Sequence, residues 1–333
     1  MDRRLPWVLI AAWLLVGAAG TAAISASLDG RSTGVVWTVT VESAVGWALV
    51  WMAMLLPRIT TLTAARIGVP IALAVAGATF FTGGDLTASV IFVVTALAAL
   101  AALASPVTID AFIDGSSYGP EQRFALRTPP LTALVAVPPT WLVAGAIVIV
   151  PPLAVTGNLV VALAIGVAWV VGVRWAVRSL HLPARRWVVF VPAGMVLSDP
   201  YVLTDRVLFP RRNVEALGPA YAATDATDLS QGSFGLALQL DLSEPFAMPL
   251  LDRSSQPDSG TVSERTVTTD RIVFAVLRPG ALLDAAAGRR FAVGETRPAE
   301  PQCLHHAADD GADELEPEES QTAVPLPRTR SSR

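Results

Sequence analysis

The sequence contains no lysine, one cysteine and three histidines among its 333 residues. A single cysteine cannot form a disulfide framework within the chain or a cysteine-rich metal cluster. Charged residues make up only 16% of the chain, whereas an ordinary soluble domain has about 25%. The formal net charge is −4, so no global basic field indicates nucleic-acid binding. The composition therefore argues against an ordinary cytosolic enzyme and against a nucleic-acid-binding protein.

The chain instead has long apolar runs, all within its first 180 residues. About 20 apolar residues cross a bilayer as a helix, and these runs lack the alternation of a β-barrel. Residues 1–180 are therefore predicted to form an α-helical polytopic membrane region of about six spans. The third span would be short and would need snorkelling ends or a locally thinner bilayer. The predicted spans are residues 6–26, 36–56, 67–81, 87–105, 131–150 and 158–175.

The arginines test this arrangement independently. If the N-terminus is cytoplasmic, the inside segments hold ten arginines and the outside loops hold only Arg31. This asymmetry follows the positive-inside rule. It predicts a multi-pass plasma-membrane protein with both termini, and everything after residue 180, in the cytoplasm. The inside arginines are Arg3, Arg4, Arg58, Arg66, Arg123, Arg127, Arg174, Arg178, Arg185 and Arg186.

The first span has two interpretations. It follows Arg3 and Arg4 and ends in the small-residue stretch 22–26, as a cleaved signal peptide does. Its apolar stretch is nevertheless longer than a typical signal-peptide core of 7–15 residues, which favours a retained helix. The C-terminal region stays cytoplasmic under either interpretation.

The second half of the chain is predicted to be a small cytoplasmic β-rich domain over residues 182–298. Strands are expected at residues 187–191, 195–198, 201–209, 234–242 and 266–277, followed by a short helix at 279–287 that ends at Gly288. In the fourth strand, leucines alternate with other residues, so Leu238 should face the core and Gln239 the opposite, exposed side. Residues 299–333 are acidic and contain four prolines, which predicts a disordered acidic tail.

Two segments of this region resemble a known fold. Residues 186–197, RWVVFVPAGMVL, resemble the first hairpin of the bacterial pleckstrin-homology-like domain, and residues 207–217, VLFPRRNVEAL, resemble a later strand of it. The resemblance implies a PH-like domain that follows membrane helices. The segments DGSSYG (114–119) and SDP (198–200) make the whole chain similar to an uncharacterised family of multi-pass membrane proteins from high-GC Gram-positive bacteria. That family implies no activity or site residues.

The connection formed by residues 106–130 is the most distinctive polar segment. It exceeds the usual helix connection of about 2–8 residues and contains Asp114, Tyr118 and Glu121. We expect it to be a docking surface for the C-terminal domain, with the Tyr118 ring buried. Asp114 and Glu121 would then meet Arg211 or Arg212. The alternative is a solvated linker.

Glu42 is the candidate intramembrane residue, because a carboxylate within a span is costly and is a functional candidate by default. It would instead lie near the outer interface if its helix began at Ser43. Pro138 and Pro139 lie within the fifth predicted span. They indicate a kink or a later helix start, or else a broken helix of the kind that builds transporter sites.

No catalytic motif is present in the sequence: it contains no G-x-S-x-G, zincin, kinase or phosphate-loop pattern. His305 and His306 lie beside Cys303 without a second ligand cluster, so neither a metal nor another cofactor is expected. The favoured hypothesis is a non-enzymatic membrane protein with a cytoplasmic binding or scaffold domain and an envelope-related role. Its partners would be the lipid bilayer and a protein at the cytoplasmic face. The alternative is a small-solute transporter or channel.

Overall fold

Six long apolar helices form the first part of the chain in the computed structural model, which describes residues 5–251 and 264–298. Each is long and apolar enough to cross a membrane, which confirms the prediction of about six apolar helices of membrane-spanning length. A shorter helix, α5 (Pro106–Asp114), lies between the fourth and the fifth of them. The six are α1 (Leu5–Ser27), α2 (Thr33–Leu55), α3 (Ile59–Phe81), α4 (Leu86–Ala104), α6 (Pro130–Val155) and α7 (Leu159–Ala184).

Helix α3 corrects the prediction of a short third span. It starts at Ile59 and has 23 residues, so it needs no thinning of the bilayer. A capping box stabilises this early start: Arg58 is the N-cap residue, and the Thr61 hydroxyl accepts a hydrogen bond from the Arg58 N–H at 2.9 Å. As a result Arg66 lies inside the helix and not before it.

Helices α6 and α7 also extend past their predicted bounds. Helix α6 runs unbroken through Pro138 and Pro139, which rules out both a later start and a break at these residues. Helix α7 continues beyond residue 175 to Ala184. Arg178 therefore belongs to the helix and not to a connection, and Arg185 caps the C-terminal end of the helix.

The described strands form two four-stranded sheets, and all but the first strand follow the six long helices, which confirms a β-rich region. The first sheet has the order β1-β2-β3-β4 and the second the order β5-β7-β8-β6. All pairings are antiparallel except that of β6 with β8. The strands are β1 (Gln122–Ala125), β2 (Trp187–Val191), β3 (Gly194–Ser198), β4 (Val207–Pro210), β5 (Val214–Pro219), β6 (Thr227–Asp228), β7 (Leu238–Leu251) and β8 (Glu264–Phe274); helix α8 (Pro279–Gly288) follows.

The first strand comes from the connection between α4 and α6. Strand β1 pairs with β2 in antiparallel register, with Phe124 opposite Val188. The connection 106–130 is therefore longer than a helix connection because it supplies α5 and the edge strand of a sheet. The alternative of a solvated linker is wrong.

Strand β2 is buried on both faces. Val188 and Phe190 lie in a core shared by the two sheets and α8. Trp187 and Val189, which point to the other side, join the helical core together with Phe112. A sheet with one solvated face would alternate apolar and polar residues, whereas β2 reads WVVFV. The uninterrupted apolar run thus reflects a sheet held between the β core and the helices.

Strand β7 only partly matches its predicted pattern. Leu238, Leu240 and Leu242 are buried in the core, as expected. Gln239 and Asp241 are fully buried as well, so the prediction that this second face is exposed is wrong. The chain segment at Arg297 covers this second face of β7. The Arg297 backbone N–H donates a hydrogen bond to Asp241 Oδ2 at 2.6 Å.

The acidic tail 299–333 and residues 252–263 lie outside the described residues. The prediction that the tail is disordered therefore stays a prediction.

Candidate functional site

Asp114 closes the turn between α5 and β1. Its Oδ1 accepts hydrogen bonds from the Arg123 backbone N–H at 2.8 Å and from the Ser117 hydroxyl at 2.9 Å. The Asp114 carboxylate thus accepts hydrogen bonds from other residues of the connection 106–130. Among the described residues it has no ion pair with Arg211 or Arg212.

Tyr118 lies at the tip of this turn with 86% of its surface exposed. The expectation that its ring is buried against the β-rich region is therefore wrong. Glu121 accepts a hydrogen bond from the Tyr118 N–H at 3.4 Å and lies 3.6 Å from the Arg123 guanidinium. Because Asp114 and Glu121 fix the base of the turn, its tip projects outward.

Arg211 and Arg212 lie in the single turn Arg211–Asn213 after β4. The Arg211 guanidinium lies over the Phe291 ring at 5.2 Å, and Arg212 is exposed. Strands β1 and β4 are opposite edges of one four-stranded sheet, roughly 14 Å apart at the usual strand spacing. This separation explains why the expected pairs with Asp114 and Glu121 do not form.

A buried ion pair fixes the point where the helices join the sheets. Arg186 binds Asp199 through two hydrogen bonds, Nε to Oδ1 at 2.9 Å and Nη2 to Oδ2 at 2.7 Å. The Arg186 Nη1 donates to the Arg127 carbonyl at 2.6 Å, and the Tyr201 backbone N–H donates to Asp199 Oδ1 at 3.0 Å. In the sequence, Arg186 stands out only as one of the inside arginines and as the first residue of the segment 186–197, so this role was not predicted.

Asp110 is a second buried carboxyl group at the same junction. Its Oδ1 accepts a hydrogen bond from the Ala125 N–H at 2.9 Å, and its Oδ2 lies 3.7 Å from Arg278 Nη1. Burial raises the pKa of Asp110 to about 6, although the Ala125 hydrogen bond and the Arg278 charge lower it and the Asp114 charge raises it. The group links α5 to β1 and holds its proton to a higher pH than an exposed aspartate.

A cavity of about 280 Å³ lies where α3, α5 and the start of α6 meet the β-rich region. Arg66, Arg127 and Thr128 provide its polar lining. The remaining lining residues are apolar or small, and none of the lining residues is acidic. In the sequence, both arginines served only as markers of topology. The one clue to Arg66 was a charge at the edge of an otherwise apolar run.

Glu42 lies well inside helix α2, two residues from its middle position, which is about 3 Å along the axis. The helix starts at Thr33 and not at Ser43, so the shifted start that would place Glu42 at the interface does not occur. Its side chain is half-buried. Glu42 lines neither the cavity that contains Arg66 and Arg127 nor a smaller apolar cavity beside Leu9 and Phe112.

Within residues 5–251 and 264–298 there is no group of three or more His, Cys, Asp or Glu that could hold a metal ion. His181 instead lies 3.1 Å from the Thr63 hydroxyl and joins α7 to α3. Cys303, His305 and His306 lie outside the described residues. No protein-family model, curated protein or solved structure matches this chain.

Proposed function

We propose that this chain is a non-enzymatic plasma-membrane protein whose helices hold a β-rich binding domain at the cytoplasmic face, where the domain recruits a protein partner. The observation that carries the proposal is the burial of β2 on both faces, because Trp187 and Val189 pack into the helical core. A sheet seated in this way keeps one orientation to the membrane. The distribution of arginines supports the cytoplasmic side.

The proposal includes the PH-like identity of the β-rich region and the similarity to the family of high-GC Gram-positive bacteria. Supporting it are the hairpin of β2 and β3 and the helix α8 that follows the last described strand. The origin of β1 in the membrane half distinguishes this chain from a domain joined only by a flexible linker.

The turn around Tyr118 is the proposed partner contact. Tyrosine is enriched in protein interfaces and among their energetic hot spots. Here the ring is exposed while Asp114 and Glu121 fix the base of the turn. A turn that is already ordered loses little conformational entropy when a partner binds.

A small-solute transporter or channel is the second candidate. The observation in its favour is Glu42, a carboxyl group near the middle of a helix long enough to cross a membrane. The binding function is favoured because the described cavities lie elsewhere.

Cysteine labelling tests the proposed topology. In a Cys303→Ser background, Arg31→Cys should react with a membrane-impermeant maleimide in intact cells, because residue 31 is assigned to the outer side. Tyr118→Cys should react only in inverted vesicles. The reverse pattern would overturn the cytoplasmic placement of the domain.

Photocrosslinking tests the partner contact. A photoreactive residue at position 118 should give a discrete protein adduct in native membranes, because this ring projects from a fixed turn. The matched control is position 247, an exposed alanine on β7. In a separate experiment without crosslinking, Tyr118→Ala should reduce co-purification of the protein identified in that adduct about tenfold, as expected for an interface hot spot. Equal adducts at both positions, or none at 118, would contradict the proposal.

A further inference from the structure

The cavity between α3, α5 and the β-rich region contains a rigidly held guanidinium. The Arg127 backbone N–H donates to the Ala275 carbonyl at 2.9 Å, and its Nε donates to the Val276 carbonyl at 3.0 Å. Gly235, with φ +103°, lies against the guanidinium so closely that a Cβ at this position would be 2.9 Å from Arg127 Cζ. The two terminal nitrogens of Arg127 make no hydrogen bond to any described residue.

Arg66 faces the same cavity from helix α3. It is the only charged residue of that helix, and it has no hydrogen bond or ion pair within the described parts of the chain. No lining residue is acidic, so two cations line one half-open cavity that contains no acidic side chain. Such an arrangement is unfavourable unless an anion occupies it.

The surroundings of the two arginines favour an anion with an apolar part. Ile109, Ile113 and Leu277 line the cavity, and Phe234 lines it while 76% of its surface is exposed. Leu131, which follows the lining residue Pro130, is also exposed. The cavity is thus placed at one end of membrane-length helices, with exposed apolar side chains beside it.

We propose that this cavity binds the phosphate of an anionic phospholipid headgroup through Arg66 and Arg127, with Phe234 against the apolar part of the lipid. Guanidinium groups bind phosphate oxygens through paired hydrogen bonds, and basic pockets beside membrane helices bind lipid headgroups. The volume of about 280 Å³ is at the small end for ligand pockets, which suits a headgroup with one phosphate. This site goes beyond the proposed partner binding and does not depend on it.

The test is a titration of the purified full chain in neutral detergent, with thermal unfolding as the readout. Dioctanoylphosphatidylglycerol should raise Tm saturably, because a ligand that binds only the folded protein stabilises it. Dioctanoylphosphatidylcholine supplies the same chains without net charge and should not raise Tm. Inorganic phosphate supplies the anion without chains and should act only at much higher concentration. An equal response to inorganic phosphate would identify a soluble anion as the source and reject the lipid.

Arg66→Gln is the decisive variant because it removes no hydrogen bond of the fold. It should raise the apparent Kd for phosphatidylglycerol by about tenfold or more, the loss expected for a charge-assisted contact, without lowering Tm in the absence of lipid. Arg127→Gln should weaken binding similarly, with its own lipid-free Tm as reference. Arg265→Gln removes an exposed arginine from β8 and should leave the Kd within about twofold. Equal losses in Arg66→Gln and Arg265→Gln, or no loss in Arg66→Gln, would overturn the proposal.

Discussion

Asp199→Asn is expected to lower the free energy of unfolding by about 3–5 kcal/mol, the usual result of breaking a buried ion pair. The side chains of Arg186 and Asp199 are 2% and 1% exposed and lie 2.7 Å apart. Asparagine keeps the size of the side chain but leaves the Arg186 charge buried without a counterion. Thermal or denaturant unfolding of the full chain in detergent measures the difference.

The matched control for this change is Asp225→Asn. Asp225 also lies 2.7 Å from an arginine, Arg271, but its side chain is 44% exposed. Exposed pairs contribute only about 0–1 kcal/mol, so this variant should be nearly neutral. If the two variants lose the same free energy of unfolding, the Arg186–Asp199 pair does not stabilise the junction between helices and sheets. The full chain is required because the first sheet takes β1 from the membrane half.

Gln239→Asp is expected to destabilise the protein by about 3 kcal/mol or more, as much as Leu238→Asp. The Gln239 side-chain Nε2 donates to Asp241 Oδ1 at 2.8 Å and to the Arg297 carbonyl at 2.8 Å. Its Oε1 accepts a hydrogen bond from the Thr224 hydroxyl at 2.8 Å. An aspartate has no donor for either acceptor and would place a second buried carboxylate beside Asp241.

Ala247→Asp provides the comparison for this second change. Ala247 lies on the same strand β7 but is exposed, so a carboxylate there stays hydrated and should cost less than about 1 kcal/mol. Unfolding of the full-length variants under one set of conditions gives the ranking. If Gln239→Asp is as mild as Ala247→Asp, the second face of β7 is open to water, as the alternating pattern alone predicts.

The difference between the two interpretations of Gln239 shows where sequence patterns stop being informative. Alternation along a strand predicts which residues share a face, and it correctly placed Leu238 in the core. It cannot show whether a distant segment covers the other face. Here the cover comes from Arg297, far along the chain from Gln239.

The same limit applies to the membrane half and to the cavity. Long apolar runs predicted the six helices because a spanning helix has a length set by the bilayer. The predicted start of the third span was wrong because Arg66 interrupted the apolar run in the sequence. The helix nevertheless continues through Arg66. Strand β1 is only four residues long, QRFA, and lacks a recognisable period. The site between them depends on both elements, so the sequence did not indicate it.

The position of β1 in the first sheet has a consequence for biosynthesis. Phe124 leaves the ribosome before helices α6 and α7, whereas its partner Val188 follows them. The sheet therefore cannot close until both helices have been made, because β2 follows α7 in the chain. Until β2 has been made, Phe124 lacks its partner Val188. Closure of the sheet thus requires that α6 and α7 return the chain to the side on which β1 lies.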